Sequence, residues 1–256
     1  TGDGVNDAPA LKAAQIGIAM GGRGTDVARE AAALVLVDDD FAHIVEAVAL
    51  GRRIFDNLRQ AMAYIVAVHV AVAGLAIVPL VAGWPAALMP IHIVFLELVI
   101  DPACSIVFEA EGADPDVMNR PPRGAEERML SRRVLVIALT QGVALLVASL
   151  VIYRFDSLPV DVARSMAFTT LLSGNLALIL GNRSWTLNAW QLVHRHNTAF
   201  FGVVLGALLA LLAVLYVPGL NQLLHFVPLT APQLGLSLGA GLVTLLWVEG
   251  VKRIPI

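Results

Sequence analysis

The 256-residue sequence has a single cysteine, Cys104, which excludes an intramolecular disulfide and any multi-cysteine metal site. Charge is scarce as well. Asp, Glu, Lys and Arg make up 14% of residues against 58% hydrophobic, and mean hydropathy is +0.78. That balance is too apolar for an ordinary soluble domain. Net charge is −3, so nothing suggests nucleic acid as a partner. The opening TGDGVNDAPAL lacks the basic and apolar regions of a signal peptide. It also lacks an initiator Met and starts inside a glycine-rich loop, so the sequence reads as a fragment whose N-terminal partner sequence is missing. Internal repeats and low-complexity tracts are absent too.

What is abundant is long apolar runs. Six meet the length of about 20 residues that a bilayer demands, near 61–82, 88–108, 133–153, 163–181, 198–217 and 232–251. The connections 83–87 and 218–231 carry no Lys or Arg. Loop 109–132 holds Arg120, Arg123, Arg128 and Arg132, with Arg133 at its edge; 182–197 adds Arg183 and Arg195, and the tail 252–256 adds Lys252 and Arg253. The positive-inside rule makes these three segments cytoplasmic, together with the N-terminal region. Arg154 and Arg164 on the other side weigh mildly against it. The expectation is an integral membrane protein in lipid bilayer, in the plasma (inner) membrane of a bacterium.

Residues 1–40 read as α/β. Ile16–Met20 and Leu34–Val37 have the pattern of buried parallel strands, and Thr25 caps a helix over Asp26–Ala33. From Phe41 the pattern turns helical. Ile44, Val45, Val48, Ile54 and Leu58 recur at helical spacing and run on into the apolar Ala61–Ala82. One helix of about 40 residues would reach roughly 60 Å. The fold class is therefore mainly α: a polytopic six-helix membrane bundle (61–251, with a tail at 252–256), preceded by a small α/β piece (1–40) and a long stalk helix (41–60).

In the opening loop, Gly2 and Gly4 permit a tight turn with close backbone approach to a ligand. Asp3, Asn6 and Asp7 bring two carboxylates and an amide to the end of a presumed strand. These hard oxygens suit Mg²⁺, which takes one or two carboxylates plus waters and phosphate oxygens. Pro9 fits the first turn of the following helix. The same spacing equally describes a glycine-rich turn whose Asp and Asn cap that helix.

Ionisable residues inside a bilayer are costly and mark pathways. Segment 88–108 carries Glu97 and Asp101, whose i, i+4 spacing puts them on one helix face. Pro102 frees a carbonyl beside Asp101, and broken helices with free carbonyls are how transporters build ion sites. Counted from the run ends at Ala61 and Phe108, His69 and Asp101 have similar depth and face each other. Alternatives stay open: Glu97 as a buried protonated acid, His69 as a packing residue. Cys104, His92 and Met89 read as packing or interfacial residues. Thr169, Thr170, Ser173 and Asn175 read as inter-helix hydrogen-bonding groups, with coordination a lesser reading for Asn175. Glu109 and Glu111 read as solvated at the membrane boundary.

Thr1–Gly21, TGDGVNDAPALKAAQIGIAMG, resembles the hinge motif of P-type ATPases, whose phosphorylation domain belongs to the haloacid-dehalogenase fold. The likeness continues through GTDVAREAAALVLVDDDFAHIVEAVALGRRIFDNLRQ. It resumes at Met118–Arg123, MNRPPR, which is similar to the loop after the sixth membrane helix in the type II, calcium-pump-like branch. It covers the first 123 residues; the later helices match only in number and length.

The resemblance implies that residues 1–40 are the C-terminal piece of the phosphorylation domain. Asp3 coordinates the catalytic Mg²⁺, Asn6 and Asp7 orient the surroundings of the phosphorylated aspartate and support the metal, and Gly2 and Gly4 bind cofactor. ATP is held mainly by domains outside this sequence. The phosphorylated Asp-Lys-Thr-Gly-Thr segment also lies outside it, so the chain alone is not expected to hydrolyse ATP.

At the calcium-ligand positions of the fifth and sixth helices stand His69, Val72, Glu97, Ile100 and Asp101, of which only Asp101 is retained; on the eighth helix the comparable place is Gly181. Two carboxylates with an imidazole lean toward Mn²⁺ or Zn²⁺, or toward protons. The expected function is a share in ATP-driven transport of a cation, a divalent one favoured. The partners are that cation, ATP, the bilayer and the missing N-terminal part of the same pump. The alternative is an inactive pump remnant acting as a binding or regulatory membrane module. A channel or secondary carrier leaves the intact TGDGVNDAPAL unexplained.

Overall fold

The computed structural model describes residues 1–124, 128–155 and 158–253, and at 99–101, 103 and 104 the backbone only. The side chains of Ile100, Asp101 and Cys104, and the tail beyond Arg253, thus lie outside the described residues. The chain divides into two compact units, Thr1–Arg52 and Arg53–Ile256.

In the first unit, helix α1 (Ala8–Ala13) is followed by strand β1 (Ile18–Met20), helix α2 (Asp26–Ala31) and strand β2 (Leu34–Leu36). The strands are parallel, pairing Ile18↔Leu34, Ala19↔Val35 and Met20↔Leu36, with α2 as the crossover. Thr25 caps α2, its hydroxyl accepting from the Ala28 N–H at 3.3 Å, which satisfies one of the open donors of the first turn. Ala19 and Ala28 pack on Leu11, so small side chains bring helix and strand close. Two expectations shift. The helix after Thr25 stops at Ala31 rather than Ala33, because the N–H groups of Ala33 and Leu34 are taken by the Gly17 carbonyl at 2.9 and 3.1 Å. Of Leu34–Val37, the strand takes Leu34–Leu36, with Leu36 buried, Val35 half-buried and Leu34 and Val37 exposed.

Helix α3 (Ala42–Val81) runs 40 residues and continues into the second unit. Then come α4 (Pro90–Phe95), a π turn at Leu96–Ile100, α5 (Asp101–Glu109), α6 (Arg132–Tyr153), α7 (Val160–Asn182), the short α8 (Ala189–His194), α9 (Thr198–Tyr216), the short α10 (Leu220–Leu223) and α11 (Ala231–Lys252). Among the described residues five helices, α3, α6, α7, α9 and α11, are long and apolar enough to cross a membrane. The remaining apolar segment, 88–108, is divided by the π turn into helices shorter than a bilayer. The molecule is mainly helical, with several candidate spans.

α7 is the least apolar of the five, with mean hydropathy 1.3, yet 94% of its apolar window is buried, against 28% for α9 and α11. Polar side chains are tolerable there because neighbouring helices satisfy them. Thr170 donates to Met166 O at 3.0 Å and to Ser237 O on α11 at 3.1 Å, and Ser173 donates to Thr170 O at 3.1 Å. Thr169 instead bonds within its own helix, to Ser165 O, so the inter-helix expectation does not hold for it. The α7–α11 contact depends on Gly241, where a Cβ would sit 2.0 Å from Ser173 Oγ and 2.5 Å from Thr170 O. Close approach over small residues is how membrane helices associate. Gly241→Val is therefore expected to destabilise the bundle by about 1–3 kcal/mol, the usual cost of overpacking. A lowered midpoint in detergent unfolding checks it, and an unchanged midpoint would show that the two helices are not locked there.

His92 is a packing residue: it is fully buried, accepts from Met89 N–H at Nδ1, donates from Nε2 to Leu224 O at 2.6 Å, and stacks on Phe226 at 4.4 Å. Glu111 is not solvated, as its place at a boundary suggested. It is 1% exposed and ion-paired with Arg183, itself fully buried. A loop of charged residues next to apolar runs looks solvated until a partner charge from a distant segment is folded against it.

Candidate functional site

The opening loop hangs on β1. Gly2 N–H donates to Ile18 O at 3.0 Å, and Met20 N–H donates to Gly2 O at 3.2 Å. Asp3 O accepts from Thr25 N–H at 2.8 Å, which ties the loop to the cap of α2. Asp7 then turns back on its own loop, its Oδ2 accepting from Gly4 N–H at 2.9 Å and Asp3 N–H at 3.0 Å. These two bonds, Gly4 first and then Asp3, hold the Asp7 carboxyl below the usual carboxylate range. Gly2 is required by this arrangement, because a Cβ there would lie 2.5 Å from Asp7 Cβ. Gly4 has room beside it, with Asp7 Oδ2 the nearest atom at 3.6 Å. A one-turn 3-10 helix, Val5–Asp7, leads into α1, whose first turn takes Pro9.

The result is a division of labour between the two carboxylates. Asp7 orders the loop, while the side chains of Asp3 and Asn6 are exposed beside the glycines. An exposed carboxylate next to open backbone fits Mg²⁺, which keeps several waters and binds through few protein oxygens. Among the described residues no three of His, Cys, Asp and Glu converge as a metal cluster.

In the second unit, His69 Nε2 lies 3.5 Å from Glu97 Oε1, the two side chains being 52% and 40% exposed. Glu97 is in the π turn, a backbone irregularity frequent at functional sites. Sequence depth puts His69 opposite Asp101, whose side chain lies outside the described residues; among those described, Glu97 is the carboxylate beside His69. His69 Nδ1 bonds to Ile65 O at 2.8 Å. A carbonyl only accepts, so Nδ1 carries a proton and Nε2 is the ring nitrogen turned to the carboxylate. An imidazole nitrogen and a carboxylate oxygen side by side are groups that suit a cation.

The other positions are less eloquent. Val72 is buried. Gly181 is a packing site, where a Cβ would lie 2.4 Å from Val248 Cγ1 on α11, and no ligand belongs there. Asn175 is 1% exposed, and neither of its amide atoms has a hydrogen-bond partner among the described residues. Its signal in sequence was only a polar residue in an apolar run.

Residues 85–254 match the family model described as cation transporting ATPase, C-terminus. Along 98% of its length the chain is 35% identical to a calcium-transporting ATPase of Bacillus subtilis, of which it covers 28%. It is 35% identical over 87% of its length to calcium-transporting ATPase 1 of Yarrowia lipolytica and 34% over 87% to human calcium-transporting ATPase type 2C member 2, covering 24% of each. The chain thus spans about a quarter of the length of these relatives. Together with the hinge-like loop and the apolar helices, these matches place it: the chain belongs to the cation-transporting ATPases, the P-type pumps of the type II branch, and corresponds to their C-terminal region.

Proposed function

We propose that the chain is the C-terminal part of an ATP-driven pump that couples aspartyl phosphate formation to transport of a divalent cation. The observation that carries this reading is the His69–Glu97 pair, a ring nitrogen and a carboxylate oxygen 3.5 Å apart in apolar segments, groups that together suit a cation. Asp101 follows one turn later, and Asn175, whose buried amide has no hydrogen-bond partner among the described residues, is the candidate for a further oxygen ligand. A cation on this pair needs both groups deprotonated, so binding weakens as pH falls.

In this reading the first unit is a piece of a haloacid-dehalogenase-like phosphorylation domain. Asp3 holds Mg²⁺ there, Asp7 keeps Asp3 in place, and Asn6 faces the phosphorylated aspartate. The metal, when bound, neutralises charge on the transferring phosphoryl group. Segment 88–108 is the sixth span, crossing as a broken helix, and the N-terminal region, loop 109–132 and the C-terminus are cytoplasmic, in a bacterial plasma membrane. Calcium is the cation named for the relatives and is the first to test. Phosphorylation of the full-length protein by ATP is measured with Ca²⁺, Mn²⁺, Zn²⁺, Mg²⁺ or K⁺ in turn, Mg²⁺ being present throughout. A rise with one divalent cation is expected; no response to any of them overturns the reading.

A further inference from the structure

We propose that the buried ion-paired node at Glu111 positions the helices bearing His69 and Glu97, and so sets the cation affinity of that pair. The inference rests on the pump reading above. Glu111 follows directly on α5, and its carboxylate is gripped from the far side of the bundle. Arg183 donates to it from Nε at 2.6 Å and Nη2 at 3.4 Å, Asn197 donates from Nδ2 at 2.8 Å, and Arg195 Nε lies 3.4 Å away. Arg183 in turn donates to Leu192 O and Arg195 O and lies 4.7 Å above the Phe200 ring. Asp114 balances Arg195 at 3.3 Å and accepts from the Thr186 hydroxyl at 3.0 Å. Two acids thus meet two arginines.

The same short stretch grips α3. Asn57 donates to Glu111 O at 2.9 Å, Arg53 to Glu109 O at 3.5 Å, and Arg120 pairs with Asp56 at 2.9 Å. Both site helices are therefore tied to one node, α3 at Asn57 and α5 at Glu111. From each tie to His69 or Glu97 runs about 20 Å of helix at the usual rise. Helices transmit a displacement over that length, and the π turn at Glu97 is the compliant point. A buried ion pair is weak grounds for stability, since a well-packed apolar pair of similar volume does as well. What it supplies here is a fixed distance between segments far apart in sequence.

The test uses the full-length protein, measuring Ca²⁺-dependent phosphorylation by ATP and, without Ca²⁺, phosphorylation from inorganic phosphate. Glu111→Gln or Arg183→Ala alone leaves a buried charge unpaired and is expected to lower the amount of folded protein. The deciding variant is Glu111→Leu with Arg183→Met, which removes the pair and leaves Arg195 with Asp114. Phosphorylation from phosphate should persist, while half-saturation by Ca²⁺ rises about two- to thirtyfold, the scale of coupling carried through packed and hydrogen-bonded networks. Asn57→Leu, which cuts only the α3 tie, should move half-saturation the same way by less and decides the question if the double variant does not fold. Unchanged half-saturation in the folded variants overturns the proposal and makes the node structural only. A wild type that responds to no cation overturns the pump reading, and this inference with it, independently of any variant.

Discussion

Glu97→Gln is expected to lower cation-stimulated phosphorylation by ATP at a given cation concentration by about ten- to a hundredfold, the scale of losing a charged contact to a metal. Phosphorylation from inorganic phosphate should survive, since it needs only the phosphorylation domain, of which residues 1–40 are one piece. The substitution keeps the shape and one acceptor oxygen, so the helix and its π turn remain. What is lost is the negative charge 3.5 Å from His69 Nε2. His69→Ala should shift preference among Ca²⁺, Mn²⁺ and Zn²⁺ more than it lowers the maximal rate. Asp101→Asn should act like Glu97→Gln, as Asp101 directly follows the π turn. Full cation response in both carboxylate variants would place the site elsewhere.

Asp3→Ala in the full-length protein should reduce phosphoenzyme formation from ATP by at least about a hundredfold. A metal contributes several kcal/mol to stabilising the charge of phosphoryl transfer, and each 1.36 kcal/mol is tenfold in rate. Membrane insertion should be unaffected, because Asp3 touches its surroundings through its backbone, with N–H to Asp7 and C=O to Thr25. Asp7→Asn is the contrasting variant. Its amide oxygen still accepts from the loop N–H groups, though without charge, so a smaller loss is expected. Near-normal phosphoenzyme in Asp3→Ala would show the loop to be a structural turn.

Sequence patterns carried some elements to the residue and others only as a class. Apolar periodicity from Ile44 onward predicts a single long helix, and α3 runs unbroken over Ala42–Val81. The Thr25 cap is legible because a hydroxyl before an acidic first turn has one common use, and it makes that bond. The opening loop named its residues but not their roles. Nothing in Gly-Asp-Gly spacing says which carboxylate turns inward, and the choice falls to Asp7 because Gly2 and Gly4 let two N–H groups point at one oxygen.

In the second unit the sequence alone determined composition and direction: which stretches are apolar enough for a membrane, and that ionisable groups within them need a purpose. Backbone hydrogen bonding in an apolar medium forces helices, so their existence follows from hydropathy. Tertiary structure decided who meets whom. His69 meets Glu97 from another segment, and Glu111 is buried because Arg183, 72 residues later, comes to it. Such pairings depend on helix rotation and register, set by close contacts such as Gly142 against Ala67 O of α3 and Gly181 against Val248 of α11. A one-dimensional pattern holds the period of each helix but not the angle at which two of them touch.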